Sequence, residues 1–535
     1  MARPQRATRF FMVPPNRPNG VVFYYSEQGP HQQSSGSRWG GCTLPPMDKL
    51  LLLAQDRSLV TCPRSPWRRC IYGLVSAAAS RGRVMKRDEA RAPRRGVLAA
   101  PARLLSRFAG GTAQAALRGM FKLAAGSLLA RLLGIAALPV LARIYGPEDY
   151  GVLSVFSALI TLLLPGLSLR YVLAIPLPRG DAAAINLVVL SALLMAVMAL
   201  GSGVLLWAFA PTLLGLVSMQ ARAPWWWLIV LGLLGAGSYE ILTLWATRKR
   251  AYGPVARTLV WQAVIGAGTK IALGLVGVKP AGLLIGQVVT QSGGILSLFL
   301  RFAADLRAGM RFVRPRRLRA VARRYRTFPA YRFPGHLFLA YGRQAPLLFV
   351  ALHYGPAVTG QFGMALLAIA LPVDLLGRNM SKAYYAEAAR IDPADGRSLY
   401  LLTRAVLLRM AALGVVPAAV LLLFGRELFG LVLGPEWGLA GTLSSLLAIL
   451  MFAQFATAPF TQTLSIIGRN QQFLVFSITR SIVVTLVFVL PFYFALPVAD
   501  LVLVFSLAAT GQTIVQGWAV LNAVRNRARS AGESL

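Results

Sequence analysis

Charged side chains inside long apolar stretches are the first residues of this sequence that could do chemistry. Four arginines lie deep within such stretches: Arg131, Arg343, Arg409 and Arg480. A charged residue at the centre of a bilayer costs roughly 2.5–3.5 kcal/mol on insertion scales, so it implies a function or a water-filled cavity. A guanidinium group suits phosphate, because it can give two hydrogen bonds to one phosphate group. These residues therefore predict a cavity for an anionic substrate.

Two carboxylates, Glu240 and Asp374, lie inside the apolar stretches. Asp374 precedes Arg378 by four residues, a spacing that permits an ion pair on one helix. Glu240 could pair with a nearby arginine or carry a coupling proton, and the sequence leaves both readings open. A cavity for organic cations would present carboxylates and aromatic faces. Their scarcity favours an anion, and both carboxylates are kept as candidate ion-coupling residues.

Four further cations lie within about two turns of the end of an apolar stretch: Arg170, Arg257, Lys270 and Arg404. Side chains of this length can extend to the membrane interface, and we interpret the four in this way. Arg170 and Arg378 nevertheless lie at matching positions of an internal repeat described below, so Arg378 joins the candidate cavity residues.

Metal and thiol chemistry find little support in the sequence. The three cysteines, Cys42, Cys62 and Cys70, all precede the apolar stretches, and His336 and His353 stand alone within them. Isolated histidines are more often packed or exposed residues than ligands, so we expect no zinc or haem site and no cofactor. The sequence also lacks the GxxxxGK[ST] pattern of a nucleotide-binding loop.

The elements that position these residues are membrane-spanning helices. The chain is 56% hydrophobic and 14% charged, whereas soluble domains carry about 25% charged residues. The backbone must be helical in lipid, so the fold class is all-α. Runs long enough to cross a ~30 Å core predict twelve spans, near 120–144, 148–176, 182–210, 224–247, 252–276, 280–300, 327–352, 356–385, 398–424, 437–460, 471–495 and 498–524.

The net charge of +38 could indicate nucleic-acid binding, but in a chain dominated by membrane spans the retention of Lys and Arg in cytoplasmic loops is the simpler interpretation. With both ends on one side, that side holds twenty basic residues and the other side four. Cytoplasmic loops retain Lys and Arg, so this asymmetry predicts that both termini face the cytoplasm in the cell inner membrane. The outer connections are short, which disfavours a membrane glycosyltransferase or a polysaccharide polymerase.

The predicted organisation has five parts: a basic, disordered tail or mis-assigned start (1–118), an N-terminal six-helix lobe (119–300), a basic cytoplasmic inter-lobe loop (301–326), a C-terminal six-helix lobe (327–524) and a short cytoplasmic tail (525–535). The tail is rich in Pro, Arg, Gly and Ser, a composition typical of disorder. Met85 or Met120 could equally begin a complete membrane domain.

An internal repeat relates the two predicted lobes. The sequence YGPEDYG (145–151) recurs as YGPAVTG (354–360), and both copies read Tyr-Gly-Pro-x-x-x-Gly at an outer hairpin. Six spans separate the copies, so the halves are parallel repeats about an axis along the bilayer normal, an architecture typical of transporters. Arg131 precedes the tyrosine of its copy by 14 residues and Arg343 precedes its own by 11. The difference of three is about one helical turn, so both arginines project from roughly the same face of corresponding helices. Arginines of both halves are then expected to face one cavity.

Three segments carry a resemblance to a known family: 142–163 (ARIYGPEDYGVLSVFSALITLL), 324–385 (from RYRTFPAYRFPGH to LLGRNMSKAYY), and LGPEW (433–437) with LSIIGRNQQ (464–472). They resemble bacterial polysaccharide transporters, the O-antigen and exopolysaccharide flippases of the multidrug/oligosaccharidyl-lipid/polysaccharide superfamily. The similarity runs from about residue 119 to 525.

The resemblance implies alternating access and an undecaprenyl-diphosphate-linked oligosaccharide as substrate, received in a cation-lined cavity. The expected partners are that substrate and membrane lipid, with a polysaccharide polymerase and glycosyltransferases of the same synthesis, and no nucleic acid. No covalent bond changes, so we expect a transporter and not an enzyme. A drug or organic-cation exporter of the same superfamily is the main alternative, and a scaffold for a synthesis complex also stays open.

Overall fold

The computed structural model describes residues 112–216, 225–388, 390–391, 395–463 and 470–530. Most of the predicted tail 1–118, up to residue 111, lies outside the described residues, as do the last five residues of the chain. Arg222 and Arg469, two of the loop residues in the comparison of basic residues on the two sides, also lie outside them.

Long helices, and no strands, make up the described part of the chain, which confirms the all-α prediction. The first half contains α1 (Thr112–Ile144), α2 (Pro147–Leu167), α3 (Asp181–Gly215), α4 (Trp226–Arg248), α5 (Tyr252–Leu275), α6 (Ala281–Ser292) and α7 (Ile295–Met310). The connecting α8 (Pro315–Arg324) is followed by α9 (Phe333–Pro372), α10 (Arg378–Ala388), α11 (Gly396–Val432), α12 (Gly438–Leu446), α13 (Ala448–Thr457), α14 (Asn470–Val489) and α15 (Val498–Ser530).

Broken helices account for the difference between the number of elements and the number of crossings. The segment Phe328–Gly377 is 50 residues long, and at 1.5 Å per residue it spans ~75 Å, more than twice a ~30 Å core. It reverses at Gly355, whose φ of 76° is readily adopted by glycine. Conversely, Ala281–Met310 is one crossing, and α12 and α13 form one crossing bent by 52°. By length and composition the described residues contain ten candidate spans, or eleven with that bent pair. Counting Phe328–Gly377 as two crossings, because it reverses at Gly355, gives the predicted number of twelve.

The crossings form two lobes, the N lobe (α1–α7) and the C lobe (α9–α15). One end of the bundle carries both Tyr-Gly-Pro turns and is called the motif side. The opposite end carries α8 and is called the arginine-rich side. The segment 301–326, predicted as a loop, is largely helical, because α7 continues to Met310 and α8 follows from Pro315.

The two lobes share one apolar core, which extends from the motif side. A continuous cluster of buried residues there includes Phe156 and Leu233 of the N lobe with Phe362 and Phe488 of the C lobe. Toward the arginine-rich side, separate buried clusters form around Trp245 in the N lobe and around residues of the C lobe such as Tyr384. The lobes are therefore sealed together at the motif side.

Candidate functional site

The repeated turns meet at the sealed end, and they meet reciprocally. A Cβ on Gly151 would lie 1.8 Å from the carbonyl oxygen of Pro356, and a Cβ on Gly360 would lie 1.8 Å from that of Pro147. Each contact joins the last glycine of one motif copy to the proline of the other. Reciprocity of this kind is what a two-fold relation between two surfaces produces. The repeat found in the sequence is thus also a contact between the lobes.

Arg131 of α1 forms an ion pair with Asp374, which lies in the π-helical turn (Val373–Gly377) after α9. Nη1 of Arg131 is 2.7 Å from Oδ2 of Asp374, and the two side chains are 37% and 25% exposed. The pair joins the N lobe to the C lobe, about thirteen residues from the motif-side end of α1. Two of the predicted site residues therefore contact each other directly.

Arg170 and Glu240 form a second, more deeply buried pair within the N lobe. Nη1 of Arg170 is 2.9 Å from Oε1 of Glu240, with exposed side-chain fractions of 12% and 24%. Arg170 has a left-handed backbone (φ 61°), as has Leu169 (φ 45°), at the point where the chain turns after α2. Non-glycine residues adopt this region at a cost, and such strain often occurs at functional sites. The interpretation that the side chain of Arg170 extends to the membrane interface is therefore wrong.

The second pair also reaches the other lobe. Nη2 of Arg170 lies 3.5 Å from Nδ1 of His336 on α9. The charges of Arg332 and Arg343 act on His336 as well. A histidine predicted to stand alone therefore lies within a group of three arginines.

Arg343 and Arg480 lie side by side in the C lobe, on α9 and α14. A Cβ on the neighbouring Gly342 would be 3.5 Å from Cγ of Arg480, and the charge of Arg343 acts on Arg480. Nε of Arg480 is buried and has no hydrogen-bond partner among the described residues. Because a buried unsatisfied donor is costly, this geometry suits an anion that accepts the hydrogen bond.

The remaining two predicted cavity residues are not joined to this group by any described contact. Arg378 begins α10, and its side chain lies outside the described part of the chain. Arg409 is exposed on α11. No described group of three or more His, Cys, Asp or Glu side chains could hold a metal ion.

Near the lobe interface, the described residues thus include five arginines and two carboxylates: Arg131, Arg170, Arg332, Arg343, Arg480, Glu240 and Asp374. Sequence reasoning missed Arg170, Arg332 and His336 as members. The two prolines of FPAYRFPGH (328–336) and the match between Arg170 and Arg378 in the repeat were the available signals.

A family profile described as "Polysaccharide biosynthesis protein" matches residues 140–441, more than half of the chain. The chain belongs to this family. The match includes both Tyr-Gly-Pro turns and most of the lobe interface, and it confirms the resemblance found in the sequence. Family membership and a bundle of two six-helix lobes together class the chain as a multi-pass membrane transporter.

Solved structures with similarity to this member of the family include three proteins described as MATE. A MATE protein in complex with MaL6 is 15% identical, with 79% of this chain and 99% of that chain covered and a TM-score of 0.49. The Vibrio cholerae MATE transporter VcmN in the bent form is 13% identical, with 78% and 98% covered and a TM-score of 0.49. An inward-facing multidrug resistance MATE family transporter of the MOP superfamily is 14% identical, with 79% and 98% covered and a TM-score of 0.46. No curated protein matches the chain.

Proposed function

We propose that this protein moves an undecaprenyl-diphosphate-linked oligosaccharide across the cytoplasmic membrane by alternating access. The arginines at the lobe interface carry the proposal. A diphosphate needs several cationic donors that converge from different directions, and guanidinium groups supply them bidentately. Arg131 belongs to the N lobe, whereas Arg343 and Arg480 belong to the C lobe, so one anion between the lobes could bind to both.

The proposed orientation puts the arginine-rich side in the cytoplasm, in accordance with the distribution of basic residues in the loops. The shared apolar core then closes the transporter on the outer side. The separate cores of the two lobes leave the cytoplasmic half as the side from which substrate enters. The polyprenyl tail stays in lipid. The transferred lipid-linked oligosaccharide, now in the outer leaflet, then passes to a polymerase.

Within this proposal, Arg343 and Arg480 bind the diphosphate first, because the buried Nε of Arg480 gains a hydrogen-bond acceptor. Arg131 joins them when the anion displaces Asp374. This exchange replaces one carboxylate by a diphosphate that contacts both lobes, so binding favours movement of one lobe against the other. Arg378 and Arg409 stay predictions of the sequence.

Glu240 and Asp374 are the proposed ion-coupling residues. Each carboxylate is paired with an arginine, and protonation of the carboxylate would remove the charge that holds the pair together. A proton gradient could therefore release Arg131 or Arg170 on one side of the membrane. The transfer of substrate needs no covalent step, and an ion gradient or removal of the product supplies the energy.

The test is deletion of the gene in its own host, followed by measurement of surface glycan and of lipid-linked oligosaccharide. We expect loss of surface glycan and accumulation of the lipid-linked precursor on the cytoplasmic side. Wild-type protein should restore export, whereas Arg343→Gln with Arg480→Gln should not restore it at equal membrane abundance. Arg404→Gln, an exposed arginine on α11, is the matched control. Unchanged surface glycan after deletion would contradict the proposal.

An organic-cation exporter would need unpaired carboxylates in its cavity. The two carboxylates at the interface are both occupied by arginines, so the anionic substrate has the better support. Measuring the sensitivity of the deletion strain to cationic dyes, relative to the wild type, distinguishes an organic-cation exporter from a transporter of lipid-linked oligosaccharide. Increased sensitivity together with normal surface glycan would favour the exporter.

A further inference from the structure

A second polar site lies at the arginine-rich end of the N lobe, between α3, α4 and α7. A cavity of about 170 Å³ opens there, and its lining includes Trp245, Lys249 and Arg311 together with Asp181 and Asp305. Pockets for drug-sized molecules occupy about 300–1,000 Å³, so this cavity suits a smaller group.

The cavity is separate from the arginines at the lobe interface. Glu240 and Trp245 both lie on α4, but five residues turn an α-helix by ~500°, which places them on faces ~140° apart. Glu240 contacts Arg170, whereas Trp245 faces the cavity between α3 and α7. A ligand in one site would therefore not occupy the other.

The tryptophan at this cavity has an unused hydrogen-bond donor. Trp245 is 2% exposed, and its indole N–H has no hydrogen-bond partner among the described residues. An indole nitrogen is a donor only, so the group that satisfies it must be an acceptor. Buried donors of this kind are costly unless they are paired.

Two cations line the same cavity. Nζ of Lys249 lies 5.2 Å from the centre of the Trp245 ring, and it is 3.2 Å from Asp181 and 3.9 Å from Asp305. An ammonium has three donors, so one stays available after these two contacts. Arg311 packs over the Phe312 ring at 4.7 Å, and no described residue accepts a hydrogen bond from its guanidinium.

The carboxylates at the cavity are neutralised by these and adjacent cations. Asp181 also accepts two hydrogen bonds from Arg248, at 2.8 and 3.2 Å. Arg317 of α8 donates to the carbonyl oxygen of Phe312 at 3.3 Å, which brings a fourth positive charge to the rim. The cations outnumber the carboxylates, so the site attracts an anion.

We propose that this cavity binds the phosphate group of a membrane phospholipid headgroup. Its lining includes an ammonium and a guanidinium, and the buried indole of Trp245 beside them has an N–H donor with no partner among the described residues. Phosphate oxygens are acceptors that can satisfy all three. Basic pockets between transmembrane helices at the membrane surface bind lipid headgroups, and the exposed arginines of α8 extend the positive surface beside this one.

The test uses the purified full-length protein in detergent, with thermal unfolding measured during titration with phosphatidylglycerol. Diacylglycerol is the matched lipid without a phosphate group, and inorganic phosphate is the soluble source of the same chemistry. Trp245→Phe removes the donor and keeps most of the ring. Arg311→Gln removes the guanidinium. Their controls are Trp261→Phe and Arg307→Gln, which change exposed residues that do not line the cavity.

We expect phosphatidylglycerol, and not diacylglycerol, to stabilise the wild type, and either cavity variant to need about tenfold more lipid for the same shift. The two controls should behave as the wild type. Stabilisation by inorganic phosphate that the same two variants weaken would keep the phosphate site and assign it to a soluble anion. Equal responses of the wild type and both cavity variants to phosphatidylglycerol and to phosphate would overturn the proposal.

Discussion

Trp437 of the C lobe donates its indole N–H to the carbonyl oxygen of Ala142 in the N lobe, at 3.1 Å. The tryptophan is 1% exposed. Its ring meets Tyr150 edge-on, with ring centres 5.1 Å apart. This side chain of the LGPEW segment therefore closes the motif side together with the repeated Tyr-Gly-Pro turns.

Trp437→Phe should lower the stability of the protein modestly, because it removes one hydrogen bond of about 1 kcal/mol and keeps an aromatic ring beside Tyr150. Trp437→Ala should cost about 3–5 kcal/mol, since it also leaves a cavity. Thermal unfolding in detergent measures both, with Trp261→Phe as the control at an exposed position. Equal unfolding temperatures for all four proteins would show that the indole does not hold the lobes together.

The close approach of the two motif copies gives a second prediction. Gly151→Ala should prevent full closure of the motif side, because its Cβ would overlap the carbonyl oxygen of Pro356. The measurement is crosslinking by a bismaleimide between cysteines introduced at Gly146 and Glu436. A Cβ at residue 146 lies 3.9 Å from Oε2 of Glu436. The native cysteines, Cys42, Cys62 and Cys70, are replaced by serine beforehand.

The crosslink should form readily in the parent and several times less in the Gly151→Ala protein. Gly201→Ala is the matched control, because a Cβ at residue 201 would meet nothing within 4 Å. Undiminished crosslinking in Gly151→Ala would mean that the lobes accommodate the methyl group without opening.

Hydrophobic run lengths predicted the twelve crossings, and the repeat predicted which turns correspond. Both signals are local or periodic, so they survive in a single sequence. The same logic put Arg131 and Arg343 on one face of equivalent helices. The structure gives these two residues different neighbours, Asp374 for Arg131 and Arg480 for Arg343.

Pairing between distant segments is what the sequence could not predict. Spacing linked Asp374 to Arg378, because residues four apart share a helix face. The partner described for Asp374 is Arg131 on the other lobe. The side chain of Arg378 lies outside the described part of the chain, so its pairing with Asp374 stays a prediction. Arg170 was likewise expected to extend to the membrane interface. The left-handed turn at residues 169–170 instead directs its side chain to Glu240. Such choices depend on backbone turns that periodicity does not report.

Membrane orientation supplies a third prediction. Reporter fusions within 301–326 should behave as cytoplasmic, and fusions after Arg222 as periplasmic, because the basic residues concentrate on the side of α8. Alkaline phosphatase and a fluorescent protein give opposite readouts at each position. The reverse pattern at both sites would place the arginine-rich side outside and would require the opposite direction of entry for the substrate.

The buried Arg170–Glu240 pair distinguishes a structural role from a coupling role. Glu240→Gln should destabilise the protein by about 3–5 kcal/mol, because it leaves Arg170 buried without its counter-charge. Replacing both residues, as Arg170→Met with Glu240→Met, should recover most of that loss. Export by the double variant is then the informative measurement, made at matched membrane abundance.

If Glu240 takes part in coupling, the stable double variant should export little glycan and should not respond to collapse of the proton gradient. Full export that still depends on the gradient would restrict Glu240 to a structural role and leave Asp374 as the coupling candidate.

The Arg131–Asp374 pair allows the substrate role of Arg131 to be separated from its role as a partner. Arg131→Asp brings two carboxylates together and Asp374→Arg brings two guanidinium groups together, so each change should lower both abundance and export. Exchanging the two residues restores one pair of opposite charges between the lobes. Because the pair is partly exposed, its own contribution to stability is small, about 1 kcal/mol or less. Abundance of the exchanged protein should therefore return to nearly the wild-type level.

In the exchanged protein, however, the guanidinium belongs to the C lobe, so the diphosphate would have no arginine from α1 to bind. We expect export to stay at least tenfold below that of the wild type, the loss expected for one charge-assisted contact of about 1.5–3 kcal/mol. Quantifying surface glycan and membrane protein in the same cells checks this. Export that recovers together with abundance would limit Arg131 to pairing with Asp374.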